Sequence, residues 1–322
     1  MKVISGKVIV MLGILGIIFY SCVKNSTTTP PISNPTVAQL IKSATNLTLF
    51  NAALVRTGLD SVLNNPDSMV TVFVVTDQIM NTSGLGASVI DTMNITTLKN
   101  LIAYYIYPGV KVPSTQYPAG PNASWQMASG DSVFVTNTGS LVYINGIALA
   151  NTDVSSTNGN GYLDVLSKPL FPPTDSILQI IQSDTSLSFF DSAVRLTASS
   201  GNNILALLTS GNIYTVFVPN NNAFKNAGYQ TVDTVNADTL AKFLSYHIIA
   251  GRYFTSDMSI ALGMVSNDTT TKTTLSGEAI KISLGAYYET EGNSDSVEAN
   301  IYLPNIMARN GVVHKIDRIL LQ

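Results

Sequence analysis

His247 and His314 are the two side chains in this chain best suited to moving a proton near neutral pH. A catalytic or metal-binding histidine needs partners brought to the same point. The sequence offers no HExxH, no CxxC and four glutamates in all. His247 follows Phe243 and Leu244 at spacings of four and three, on the apolar stripe of a helical stretch. A structural, hydrogen-bonded histidine is therefore the expectation for both. Neither a cofactor nor a metal site is expected, and the chain reads as a non-enzyme.

Two weaker signals have plainer explanations. Gly130–Asp131–Ser132–Val133 is similar to the nucleophile block of one lipase family, but no Asp-x-x-His follows it, and a turn feeding a strand explains it better. Asp followed by Ser or Thr and an aliphatic or Met residue occurs nine times between Asp60 and Asp295, with Asp268 ending in Thr instead. That pattern is similar to the O-glycosylation acceptor motif of secreted Bacteroidota proteins, and it equally suits turns and helix caps.

The elements that would position these residues repeat. Thr71–Val72–Phe73–Val74 returns as Thr215–Val216–Phe217–Val218, a β-branched and aromatic run fit for a pleated strand. Each run ends in a polar cluster, where Asp77 or Asn221 is expected to cap a following helix. Leu101–Gly109 answers to Phe243–Gly251, and Asn160–Leu166 to Asn310–Ile316, in the same order. The period is too long for a solenoid, so a duplicated domain is expected.

A Thr-Val-Phe-x-Pro strand, a helix ending in Tyr-His and Gly, and a terminal Asn-Gly-Val-Val-His-x-Ile-Asp strand together resemble the fasciclin-like domain. The resemblance covers residues 36–173 and 174–322. In the first copy Tyr105 replaces the Tyr-His histidine, Asp164 the terminal one and Val75 the proline. It implies an α+β fold, each copy a mostly antiparallel β-sandwich or wedge with a helical layer. It also implies binding around the Tyr-Gly corner: Tyr104, Tyr105 and Tyr107 in the first copy, Tyr246, His247 and Tyr253 in the second. The same residues could instead pack the helix onto the sheet.

At the amino terminus, Lys2 and Lys7 precede an apolar run, Val8 to Tyr20, with the length of a signal-peptide core and too short to span a bilayer. It ends at Ser21–Cys22, the only cysteine, and resembles a bacterial lipoprotein cleavage site. Residues 1–21 are expected to be a signal peptide, Cys22 the lipidated terminus, and residues 22–35 a Ser/Thr/Pro tether to the bacterial envelope, either face of the outer membrane remaining open. A tandem fasciclin-like lipoprotein, from Bacteroidota, is the implied kind of protein.

Charged residues are 11% of the chain against about 25% in typical soluble domains, and the net charge is −3. That gives no electrostatic footprint for nucleic acid. Two functions remain open: an adhesion or binding module contacting an unknown protein or glycan, and an accessory or spacer lipoprotein of a glycan-uptake or envelope assembly. Within the copies, helices come first and strands after, with Asn145–Gly146 as a hairpin turn, Asn81–Ser88 as a loose stretch and strands expected at Thr273–Ser276 and Arg318–Leu321.

Overall fold

A computed structural model describes residues 34–154, 159–261, 269–284, 288–292 and 298–321. The expected signal segment, Cys22 and the tether to residue 33 lie outside these, as do Asp268 and Asp295. The two copies belong to one compact unit that begins at Asn34.

The duplicated run forms strand β1 (Val70–Val74) in the first copy. It is followed by β2 (Ile106–Pro108), β3 (Gly120–Gln126), β4 (Ser132–Asn137), β5 (Val142–Ile144), β6 (Ile147–Asn151) and β7 (Gly161–Leu166). The second copy has β8 (Tyr214–Pro219), β9 (Ile248–Ala250), β10 (Thr269–Thr273), β11 (Ala279–Leu284), β12 (Tyr288–Glu291), β13 (Ala299–Ala308) and β14 (Gly311–Ile316). Among the described residues, hydrogen bonding links each set into one ladder, β2-β1-β7-β6-β5-β4-β3 and, correspondingly, β9-β8-β14-β13-β12-β11-β10. All ladders are antiparallel except β1 with β7 and β8 with β14, which run parallel. Every residue of β1 and β8 is buried, which explains why they read as unbroken apolar runs rather than as alternating strands.

Helices cover these sheets, and the chemistry of their ends is duplicated too. Thr36 and Ser176 start the first helix of each copy with a capping box closed by Gln39 and Gln179. The Asn of each Asn-Gly pair pins that helix to the closing strand. Asn160 Oδ1 accepts the Val37 N–H at 2.9 Å, and Asn310 Oδ1 that of Ile177 at 2.8 Å. The glycine beside it lets the parallel strands close up, since a Cβ on Gly161 or Gly311 would lie 2.1 or 1.8 Å from the carbonyl oxygen of Val70 or Tyr214.

Four expectations are corrected. The caps after β1 and β8 are Thr76 and Asn220, one residue earlier than Asp77 and Asn221. Asp77 and Asn221 reach back to another helix instead: Asp77 accepts the N–H groups of Thr48 and Leu49, and Asn221 that of Phe189. Asn81–Ser88 is loose only at its centre, residues 83–86, because Met80 and Ile90 fold two short helices, Asp77–Thr82 and Ala87–Thr92, onto the core and take in its ends. Thr273–Ser276 is the end of β10 plus a turn. Arg318–Leu321 forms no ladder, because the Leu320 N–H goes to a side chain, His247.

Candidate functional site

The two histidines and their first-copy counterparts occupy two buried polar nodes. At the first node, His247 is wholly buried at the end of the helix Ala237–Tyr246. Its Nδ1–H donates to the Phe243 carbonyl at 2.9 Å, and Nε2 accepts the Leu320 N–H at 3.0 Å. Burial pulls its pKa down to about 4, against the lift from the Phe243 hydrogen bond, so the ring is neutral near pH 7. Tyr105 does the same work in the first copy. Its hydroxyl donates to the Leu170 carbonyl at 2.9 Å and accepts the Leu170 N–H at 2.7 Å. A phenol thus replaces an imidazole at a position that needs one donor and one acceptor. Both side chains tie down the segment after the closing strand.

At the second node, His314 on β14 lies directly across the ladder from Phe217, as Asp164 on β7 does from Phe73. His314 Nδ1 accepts the Asn305 N–H at 3.2 Å, and Nε2–H donates to the Tyr253 carbonyl at 2.9 Å. Burial pushes its pKa down to about 4. Asp164 accepts the Asp153 N–H at 2.7 Å and the Tyr117 hydroxyl. Burial raises its carboxyl to about 6, with the Tyr117 and Asp153 hydrogen bonds pulling the other way. Asp153 and Asn305 both take positive φ, 56° and 63°, a conformation asparagine and aspartate tolerate best among non-glycine residues.

The Tyr-Gly corner is therefore mostly interior. Tyr104, Tyr105, Tyr246 and His247 are buried, which corrects their reading as contact residues. Tyr104 and Tyr246 fasten their helix to the sheet by donating to the carbonyls of Ser132 and Ala279, each 3.0 Å away. Tyr107 and Tyr253 remain half-exposed. Tyr107 stacks on Trp125 with centroids 4.5 Å apart, and the Lys272 ammonium sits 4.3 Å from the Tyr253 ring centroid.

The residues around the His314 node also form the seam between the copies. Asn305 Nδ2 donates to the Gly146 carbonyl at 3.3 Å and to the Thr255 hydroxyl at 2.8 Å. Asn122 Nδ2 donates to the Arg252 carbonyl at 2.8 Å. Thr136 donates its hydroxyl to Asp257, 2.5 Å away, whose carboxyl burial raises above the usual range. The Arg252 guanidinium lies 4.5 Å from the Phe134 ring centroid and reaches the Gly311 carbonyl at 2.6 Å. Beside the seam, Asn145, Leu170, Phe171, Ile180, Pro304 and Met307 are among the residues lining a cleft of about 340 Å³.

Asn160, Asn310, Asp153, Asn305 and Arg252 were not singled out from the sequence. The Asn of each Asn-Gly pair carried a usable signal, since it recurs in both copies. The seam residues carried none, because their partners lie more than a hundred positions away. Among the described residues, no group of three or more His, Cys, Asp or Glu could hold a metal, and no helix is long and apolar enough to cross a membrane.

Comparison with known proteins converges with this geometry. The fasciclin-domain profile matches residues 45–172 and 188–322. Over 148 residues the chain is 29% identical to the uncharacterized protein sll1735 of Synechocystis, covering 45% of this chain and 97% of that protein. It is 27% identical over 185 residues to the transforming growth factor-beta-induced protein ig-h3 of Sus scrofa, spanning 56% of this chain and 24% of that one. A FAS1 domain pair from the insect cell adhesion molecule Fasciclin I aligns over 85% of this chain and 96% of its own, at 19% identity and a TM-score of 0.42. The chain belongs to the fasciclin-domain family, and carries two tandem copies of the domain.

Proposed function

We propose that this protein is a non-enzymatic binding module, held at a bacterial envelope by a lipid on Cys22, that contacts proteins or glycans. Fasciclin domains are generally adhesion or binding modules, and the family membership supports the reading. The observation that carries it is that all four ring nitrogens of the two histidines are engaged by main-chain groups in the buried interior. The side chains best suited to acid–base work near neutral pH are thus committed to the fold. Contact falls to half-exposed aromatics at the rim, Tyr107 and Tyr253, each a rigid apolar face with a polar tip. A glycan and protein array probed with the chain tests this. Loss of a positive signal in Tyr107→Ala or Tyr253→Ala, with the melting temperature little changed, supports the proposal. Unaltered signal in both variants places the contact face elsewhere.

A second reading, a spacer in a glycan-uptake or envelope assembly, is favoured by the polar cross-links of the seam, which fix one copy against the other. An array without any hit, together with transporter or glycan-hydrolase genes next to this one, would favour the spacer.

A further inference from the structure

One bulged strand ends differently in the two copies. In the second copy, β13 shifts register between Ile301 and Leu303 and again before Ile306, and Asn305 there donates to the Gly146 carbonyl across the seam. In the first copy, β6 shifts register between Leu149 and Asn151. Asp153 then stands for Asn305: both have positive φ, and each accepts an N–H, from Ser114 or from Thr255. After that donor the second copy continues as a helix, Thr255–Ala261, which packs on β3 of the first copy. The first copy has a single turn, Ser114–Gln116, in its place. The second-copy face is covered and its counterpart is open: Thr255, Ser256 and Asp257 are buried, whereas Ser114 is half-exposed and Thr115 and Gln116 are exposed.

On the first copy this open face holds a cavity of about 700 Å³. It is walled by the start of that turn, by the hairpin joining β4 to β5, and by the bulged end of β6. No charged residue lines it. Asp153 is not among the lining residues, and its carboxylate takes both the N–H and the hydroxyl of Ser114. Leu141, Val142 and Leu149 give the lining its aliphatic part, and hydroxyl and amide side chains give most of the remainder. The hairpin wall is held in place by Asn137, which donates to the Tyr117 carbonyl at 3.0 Å and accepts the Gly139 N–H at 2.9 Å. Thr115, Asn151 and Thr152 are exposed, and their side chains have no hydrogen-bond partner among the described residues.

We infer that this cavity is a binding site for a neutral saccharide, which rests on the binding-module reading and gives it a ligand class and a place. A sugar ring has hydroxyls around its edge and an aliphatic C–H face. Each hydroxyl both donates and accepts, and so do the free groups of Thr115, Asn151 and Thr152. Leu141, Val142 and Leu149 match the C–H face, the mixture of apolar lining and a few convergent polar groups that small-molecule sites use. A charged ligand would give up its solvation with no opposite charge in the lining to replace it. A wholly apolar ligand would strip water from the amide and hydroxyl groups and return no hydrogen bond.

The test titrates the full chain by calorimetry with short neutral gluco-, manno-, galacto- and xylo-oligosaccharides, and with uronic-acid oligomers. At least one neutral series should bind, more tightly than the uronic acids. Asn151→Ala combined with Thr152→Ala should weaken that binding by about tenfold or more, the loss of a hydrogen bond or two to the ligand, with the melting temperature unchanged. Thr239→Ala, an exposed change on the second copy, should leave it as it is. Ser140→Arg, which fills the cavity from the hairpin, serves if the double variant melts early. Failure of every neutral series to bind overturns this inference, while the binding-module reading is then decided by the protein half of the array. Tighter binding of the uronic acids overturns it too. So does neutral-saccharide binding that both cavity variants keep, and its loss in Tyr107→Ala would put the glycan at the aromatic rim instead.

Discussion

Substituting aspartate for histidine at one buried position gives the two copies opposite responses to acid. His247 and His314 have folded pKa values near 4 against 6.5 for the free side chain. As the pH falls from 6.5 towards 4, the unfolded chain takes up protons that the folded second copy refuses, and stability is lost across that window. Asp164 is raised from 3.8 to about 6, so over that interval the folded first copy keeps a proton that the unfolded chain releases, and acidification stabilises it. Each effect is on the order of 3 kcal/mol at full extent, at 1.36 kcal/mol per unit of pKa. Denaturant midpoints at pH 7 and pH 5 should therefore fall more steeply in Asp164→Asn than in wild type, and equal slopes would refute the assignment. Tyr105→Phe is a second check. It leaves the Leu170 N–H and C=O buried without their partner, at a cost of about 1–3 kcal/mol in equilibrium unfolding. Little of this was legible beforehand. That His247 and His314 are structural could be read from the missing partners and, for His247, from the apolar stripe. That Tyr105 performs the task of His247 could not, because it depends on where Leu170 returns in space.

Helix ends show what local chemistry reveals and where it stops. The strand–corner–helix unit was readable because Thr-Val-Phe-Val and the polar residues after it are local signals. The cap was placed one residue late, since Thr76 and Asp77, or Asn220 and Asn221, are adjacent residues each able to cap. The two divide the work: the first caps its own helix, and the second crosses to a helix some thirty residues upstream. Asn220→Ala and Asn221→Ala should each lower stability by about 0.5–2 kcal/mol through different helices. A neutral Asn221→Ala in thermal unfolding would remove the cross-helix cap. Strand β3 was missed for a related reason: Gly120–Gln126 begins Gly-Pro-Asn and carries a register shift, so it lacks the alternation that marks a strand.

For the molecule as a whole, the duplication and fold class were legible because the repeated motifs keep one order, whereas the seam was not, since nothing local marks a surface by what it docks against. The envelope proposal makes its own prediction. Mass spectrometry of membrane-extracted protein should find cleavage before Cys22 and an attached lipid, and a soluble form starting elsewhere would sink it. The parallel pairing of β1 with β7 and of β8 with β14 bears on how such a chain is made. Val70 lies against Gly161, and Tyr214 against Gly311, so the first strand of each copy waits roughly ninety residues or more for its parallel neighbour. Loop closure over that distance must precede most of the reward, which favours slow, late, all-or-none acquisition of structure. A nascent copy lacking its last strand has its first strand uncovered on one side, and so stays open and threadable until synthesis of that copy is nearly complete.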